Sequence, residues 1–303
     1  MKNLFIEKPI AAFLPSSGTV KSSSRLGAII ASILLFCAFI VACLAPILAP
    51  FDHTLNVAPP FSIPNKEFLL GTDQLGRDSL SRLIYGLRNL FWIGLATAIL
   101  SITIGFCASI TAQVLGGWVN KALFVLAHSL SSLPLLLWGF FFGVLVYVPS
   151  SLSLIVAMTI PFSSRVFRFC SSETMEKSQE SAYEASASTS AFLWFGVAGL
   201  LVRREATFLL AMFAIVFNTT VLVDFSLSFL GIGIQPPEPS LGRFVTEQVT
   251  LISFGELTPG LPLLIVIPLV VSVYTLIDYA LRRTGRDLVP SIRSHGPVWD
   301  LQQ

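Results

Sequence analysis

The sequence predicts an all-α, polytopic membrane protein with six transmembrane helices. Of its 303 residues, 54% are hydrophobic and 12% are charged, about half the roughly 25% of charged residues in a soluble domain. The mean hydropathy is +0.78. Uncharged apolar runs recur along the chain, several reaching the roughly 20 residues that cross a bilayer. They lack period-two alternation and are about twice the length of a spanning strand, which excludes a β-barrel.

Each span follows from its run. Residues 26–51 and 89–120 carry no charge and hold spans one and two. Residues 122–164 are uncharged over 43 positions, too many for one helix, so the chain must turn back. The Pro/Ser cluster Val148-Pro149-Ser150-Ser151 is the expected break between spans three and four. Span five lies in 206–231 and span six in 257–277. The first run is too long for a signal-peptide core and lacks a cleavage pattern, so it reads as a retained anchor. Pro134 is expected to kink span three, and His128 within that span to be a packed residue.

Basic residues set the orientation. With the N-terminus inside, the inner segments hold 14 of the 19 Lys and Arg, and the outer ones hold Lys66, Arg77, Arg82, Arg88 and Arg243. Both termini are therefore expected in the cytoplasm. The resulting organisation is a tail at 1–25, an anchor span with an outer loop at 26–88, a five-span core at 89–281 and a second tail at 282–303. Within the core, residues 171–205 form a cytoplasmic loop. In the outer loop, Leu80, Leu83, Ile84 and Leu87 recur at helical spacing, with Arg82 and Arg88 on the other face. This reads as a short amphipathic helix in the interface, begun by Asp78, whose carboxylate suits a helix N-terminus.

The four cysteines, Cys37, Cys43, Cys107 and Cys170, lie in or beside apolar runs without C-x-x-C spacing, and read as small hydrophobes. No phosphate-binding loop, HExxH or nucleophile elbow is present, so no catalytic residue, metal, cofactor or nucleic-acid partner is expected. Asp224 is the one acidic residue within a span. A helix begun at Ala206 places it about 27 Å along, near the outer interface, either as a solvated helix end or as part of the mouth of a translocation path.

Two polar signatures flank the spans. One is Gly71-Thr72-Asp73-Gln74-Leu75-Gly76-Arg77-Asp78-Ser79-Leu80-Ser81-Arg82. The other is Phe229-Leu230-Gly231-Ile232-Gly233-Ile234-Gln235-Pro236-Pro237-Glu238-Pro239-Ser240-Leu241-Gly242. Gln235, Pro236, Pro237 and Pro239 force a rigid, non-helical outer loop. Together the two resemble the C-type permease subunit of dipeptide and oligopeptide ABC transporters, from about residue 26 to about residue 290. The resemblance implies the type I ABC importer permease fold. It also implies partners: a second, homologous permease, two ABC ATPase subunits, an extracytoplasmic peptide-binding protein and the lipid bilayer. The basic-residue bias puts the signature positions Gly71, Thr72, Asp73, Gly76, Arg77, Asp78 and Arg82 on the outer side.

Within 171–205, Tyr183-Glu184-Ala185-Ser186-Ala187-Ser188-Thr189-Ser190 is similar to the E-A-A-x-x-x-G loop by which such permeases dock on their ATPase. Glu184, Ala185 and Ser186 fit the pattern. Ser190 replaces its glycine, and the proline expected near Val202-Arg203 is missing. The function implied is a permease subunit of an ATP-driven peptide importer, with hydrolysis on separate subunits. The alternatives are an ion-coupled secondary transporter, which would need acidic or polar groups near the midplane such as Asp224 and His128, or a diverged scaffold that transports nothing.

Overall fold

The computed structural model describes residues 25–145, 150–185, 190–249 and 258–283. Apart from one bridge between Thr72 and Asp78, all regular structure among them is helical: α1 (Arg25–Leu48), α2 (Ser79–Leu115), α3 (Gly117–Ser131), α4 (Leu135–Leu145), α5 (Ser151–Ala185), α6 (Ser190–Phe229), α7 (Leu241–Gln248) and α8 (Leu261–Arg283). Five of these helices contain segments long and apolar enough to cross a membrane, and the bent pair α3–α4 makes a sixth crossing if counted as one.

The pair packs along α5. Phe124 of α3 meets Phe167 of α5, with ring centroids 6.0 Å apart. Further on, Ser131 Oγ lies 2.8 Å from Ser164 Oγ, and Gly139 of α4 abuts Met158. Successive contacts thus step backwards along α5, from Phe167 through Ser164 to Met158. The expected kink at Pro134 is in fact a complete break, with an 84° bend between the two helices. Proline cannot donate to the preceding turn but suits the start of a new helix. Accordingly, its carbonyl accepts from Leu137 N at 3.0 Å, and Trp138 Nε1 reaches back over the break to Leu130 O at 3.2 Å.

The centre of the bundle is α2, α5 and α6. The helices α2 and α5 run parallel and in register. Asn89 pairs with Ser151 at one end, Gly105 lies against Ser163 and Val166 in the middle, and Ser109 meets Ser171 beyond. In a bilayer, lipid tails are as apolar as leucine, so close van der Waals approach at small residues drives helix association. Ala98, Ala157 and Val166 are fully buried along this seam. A Cβ on Gly105 would stand 2.5 Å from Ser163 O and 2.7 Å from Val166 Cβ. On the opposite side α6 crosses α2 at Gly94, which lies against Phe217 and Val221, and Asn218 Nδ2 donates to Val270 O of α8 at 3.2 Å. The outermost helices present leucine and isoleucine outward, as Leu26, Ile29, Ile33 and Leu264 do.

Two sequence-based expectations change here. Residues 78–88 do not form a separate interfacial helix. They are the first turns of α2, and Arg82 points into the protein, only 6% exposed. The apolar spacing that suggested an interfacial face packs instead: Leu83 and Leu87 belong to the core. His128 is exposed on α3, where it stacks on Phe124 one turn earlier with centroids 5.5 Å apart.

The α2–α5 contact yields a test. Gly105→Ala forces backbone and side chains apart and should cost about 1–3 kcal/mol, typical of overpacking. Gly260→Ala meets no atom within 4 Å and should stay within about 0.5 kcal/mol. Thermal unfolding of the two variants in the same detergent measures the difference.

Candidate functional site

Both signatures fold at the same end of the bundle and touch. The first is a compact loop built on its own backbone. Gly71 and Gly76 adopt φ of 69° and 76°, conformations that favour glycine. A side chain there would also collide with Ser62 O at 2.2 Å and Ala58 O at 2.0 Å. Thr72 Oγ1 accepts from Ser62 N at 2.9 Å and donates to Pro59 O at 2.7 Å. Asp73, fully buried, accepts from Leu75 N at 2.8 Å and Arg77 N at 2.9 Å through Oδ1.

Asp78 caps α2. Its Oδ2 accepts from Ser81 N at 2.8 Å and from Ser81 Oγ at 2.7 Å, which satisfies a backbone donor that the helix itself cannot. Ser81 Oγ in turn accepts from Phe51 N at 3.1 Å, tying the segment after α1 to the start of α2. His53 stacks on Tyr85 at 4.2 Å. Burial, reinforced by Arg82, Arg77 and Arg88 and opposed by Asp52, lowers its pKa, which favours the neutral imidazole.

The second signature is fastened to the first by charge. Arg82 donates through Nη1 to Asp73 Oδ2 and through Nη2 to Glu247 Oε2 on α7 at 2.6 Å. Glu247 Oε1 also accepts from Arg243 Nε at 2.7 Å, and Arg243 Nη1 donates to Gln235 Oε1. Gln235 Nε2 donates to the carbonyls of Gly231 and Gly233 at 3.0 and 2.9 Å. One continuous polar chain thus runs from Asp73 through Arg82, Glu247 and Arg243 to Gln235. Burial pushes the Glu247 carboxyl up, but Arg82 and Arg243 outweigh it, so its pKa lies below the ordinary value. Beside this chain, Gln248 Nε2 donates to Ser79 Oγ at 3.0 Å.

The proline segment is fixed at a third point. Glu238 accepts from Ser151 N at 2.9 Å, at the first residue of α5, and Asn89 Nδ2 of α2 donates to Pro239 O at 3.1 Å. Pro236 and Pro237 remain exposed at the tip. Asp224 lies below this loop near the end of α6, accepting from Ser228 Oγ at 3.2 Å. At 2% exposure it is not a solvated helix end. The turn after α6 folds back over that surface, with Gly233 against Ser228, and Gly242 of α7 packs against Phe225 O and Phe229 N.

The remaining sequence-predicted residues lie at the far end. Glu184 and Ala185 end α5 and Ser190 begins α6, while Ser186 falls outside the described residues. The segment 171–205 is therefore mostly a continuation of two long helices. Asp224 and His128 are not brought together. One lies under the signatures, and the other lies on α3 next to Phe124, whose ring meets Phe167. Sequence reasoning missed Asn89, Ser151, Arg243, Glu247 and Gln248. The one available signal was the charge pair Arg243–Glu247 at i, i+4, which marks a helix face.

The Arg82 junction gives a stability test. Arg82→Met leaves the Asp73 and Glu247 carboxylates without their shared cation and should cost about 3–5 kcal/mol, as breaking a buried pair does. Arg243→Met, whose side chain is 26% exposed, should cost about 1 kcal/mol or less. A carboxyl with a depressed folded pKa contributes stability that is complete above its unfolded value and is lost as pH falls through the folded one. Below the ordinary pH 4.5 of Glu247, the wild type should therefore lose more thermal stability than Glu247→Gln.

No family model matches the chain. Curated proteins do. The dipeptide transport system permease protein DppC of Haemophilus influenzae is 27% identical over 254 residues, spanning 81% of this chain and 85% of that protein. The di/tripeptide transport system permease protein DppC of Pseudomonas aeruginosa is 28% identical over 71% of this chain and 73% of its own length. The oligopeptide transport system permease protein OppC of Bacillus subtilis is 26% identical over 75% and 74%. The helical membrane fold and the two joined signatures thus belong to a chain that is similar, over most of its length, to the C-type permease subunits of dipeptide and oligopeptide transport systems.

Proposed function

We propose that this chain is a membrane subunit of an ATP-driven importer that passes di- or oligopeptides across the cytoplasmic membrane. The observation that carries this reading is the joining of two distant signatures into one braced end, while the long central helices α5 and α6 end at Ala185 and begin at Ser190 away from it. The braced end, with Pro236 and Pro237 at its tip, is the extracytoplasmic receiving surface for a peptide-binding protein. A preformed rigid loop loses little entropy on docking. The opposite end, where α5 closes with Glu184 and Ala185 and α6 begins at Ser190, docks an ABC ATPase. A second permease completes the path, and ATP hydrolysis belongs to the ATPase subunits. Both termini are cytoplasmic, as the excess of basic residues at that end supports.

Asp224 belongs to the path, closed off beneath the outer loop in this arrangement and uncovered when the receiving end opens. An ion-coupled mechanism finds no support in the separated His128 and Asp224.

The energy source is testable in cells expressing the whole transporter. Uptake of a labelled dipeptide should require this chain, stop with vanadate and persist with a protonophore, and the reverse pattern of inhibition would remove the proposal. For orientation, cysteines at Ile63 and Trp118, 73% and 78% exposed, lie at opposite ends. Only the first should react with an impermeant reagent in intact cells. Asp224→Asn should cut uptake about tenfold, equivalent to about 1.4 kcal/mol, while recovery of the other subunits stays unchanged. Wild-type uptake in that variant would remove Asp224 from the path.

A further inference from the structure

A groove of about 710 Å³ opens between α1, α2, α6 and α8, away from both signatures. Its volume falls within the roughly 300–1,000 Å³ of small-molecule sites. Ile29, Ile33, Phe91, Leu210, Phe217 and Ile277 are among the apolar residues lining it. Polar lining comes from Arg25, Ser32 and Tyr279. The Ser32 hydroxyl donates to Ala28 O at 2.8 Å, so the interior asks for an apolar occupant. Arg25 is the first residue of α1 and exposed. Tyr279 lies four residues before the end of α8. The cation and the phenol therefore mark the same end of the groove, in the manner of residues at a headgroup layer.

The space does not enclose a whole helix of another protein. A helix about 10 Å across and 30 Å long displaces roughly 2,400 Å³, more than three times what is present. An unbranched hydrocarbon chain suits the volume and the lining, and Arg25, the one cation among the described lining residues, suits a phosphate. We propose that the groove holds one acyl chain of an anionic phospholipid whose phosphate rests on Arg25. This site is independent of peptide passage and of the signature end.

Native mass spectrometry of the full-length chain in detergent, titrated with palmitoyl-oleoyl phosphatidylglycerol or phosphatidylcholine, tests the site. The wild type should take one phosphatidylglycerol about fivefold more tightly than phosphatidylcholine, the worth of one arginine near an anionic headgroup. Arg25→Gln should bind the two equally. Ile29→Trp and Leu210→Trp place an indole in the groove at positions that are each 56% exposed, where folding tolerates bulk. Either should lose the bound lipid of both kinds at unchanged helical circular dichroism. A wild type without a one-to-one adduct, a preference that survives Arg25→Gln, or tryptophan variants that bind normally would each overturn the proposal. So would loss of the lipid on assembly of the complete transporter, since that outcome assigns the groove to a neighbouring subunit.

Discussion

The guanidinium of Arg82 is the junction on which the signature end depends. It is buried and bonded on one side to Asp73 and on the other to Glu247. A buried charge is costly unless it is both paired and hydrogen-bonded, and here each acid has other donors as well. Asp73 receives two backbone N–H groups, and Glu247 receives Arg243. The loop before α2, the start of α2 and the helix after α6 are therefore arranged around one cation. Removing any of the three would leave charge stranded in the protein, and this ties segments far apart in sequence to a single geometry.

The signatures are framework before they are surface. The glycines, Thr72, Asp73, Asp78 and Arg82 all point inward or form turns. What they expose is Gln74, Leu75, Phe229, Leu230, Gly231, Pro236 and Pro237. The polar residues of both motifs hold these groups in place by satisfying backbone donors and acceptors near the membrane, where unpaired groups are expensive.

Much of the architecture was legible in the sequence because the bilayer imposes its length on apolar runs. The spans and the capping role of Asp78 follow from that rule and from helix-end chemistry, and the break expected at 148–151 lies between the end of α4 and the start of α5, with Val148 and Pro149 outside the described residues. The break at Pro134 was underestimated because proline in a span is compatible with anything from a bend to a full interruption. Arg82 was assigned to the wrong face for a different reason. Helical spacing identifies an apolar face, but it does not reveal that a carboxylate from 165 residues later will neutralise the other one. Asn89, Ser151 and Glu238 were illegible on the same ground, since their pairing exists only once α2 and α5 are parallel. Asp224 lay where arithmetic put it, near the end of its helix. Its burial depends on the return of the chain through Gly233 and Gly242, which no local pattern encodes.

The helix α5 runs from Ser151, held by Glu238, to Ala185 and continues through Pro161 in its interior. At 1.5 Å per residue its 35 residues make a rod about 52 Å long, and its registered contact with α2 stiffens the part nearest the signatures. A rod of that length acts as a lever. A tilt of about 6° about its anchored end carries the other end roughly 5 Å, one helical turn. Two ends of the molecule that share no residue are thus coupled mechanically by one unbroken helix.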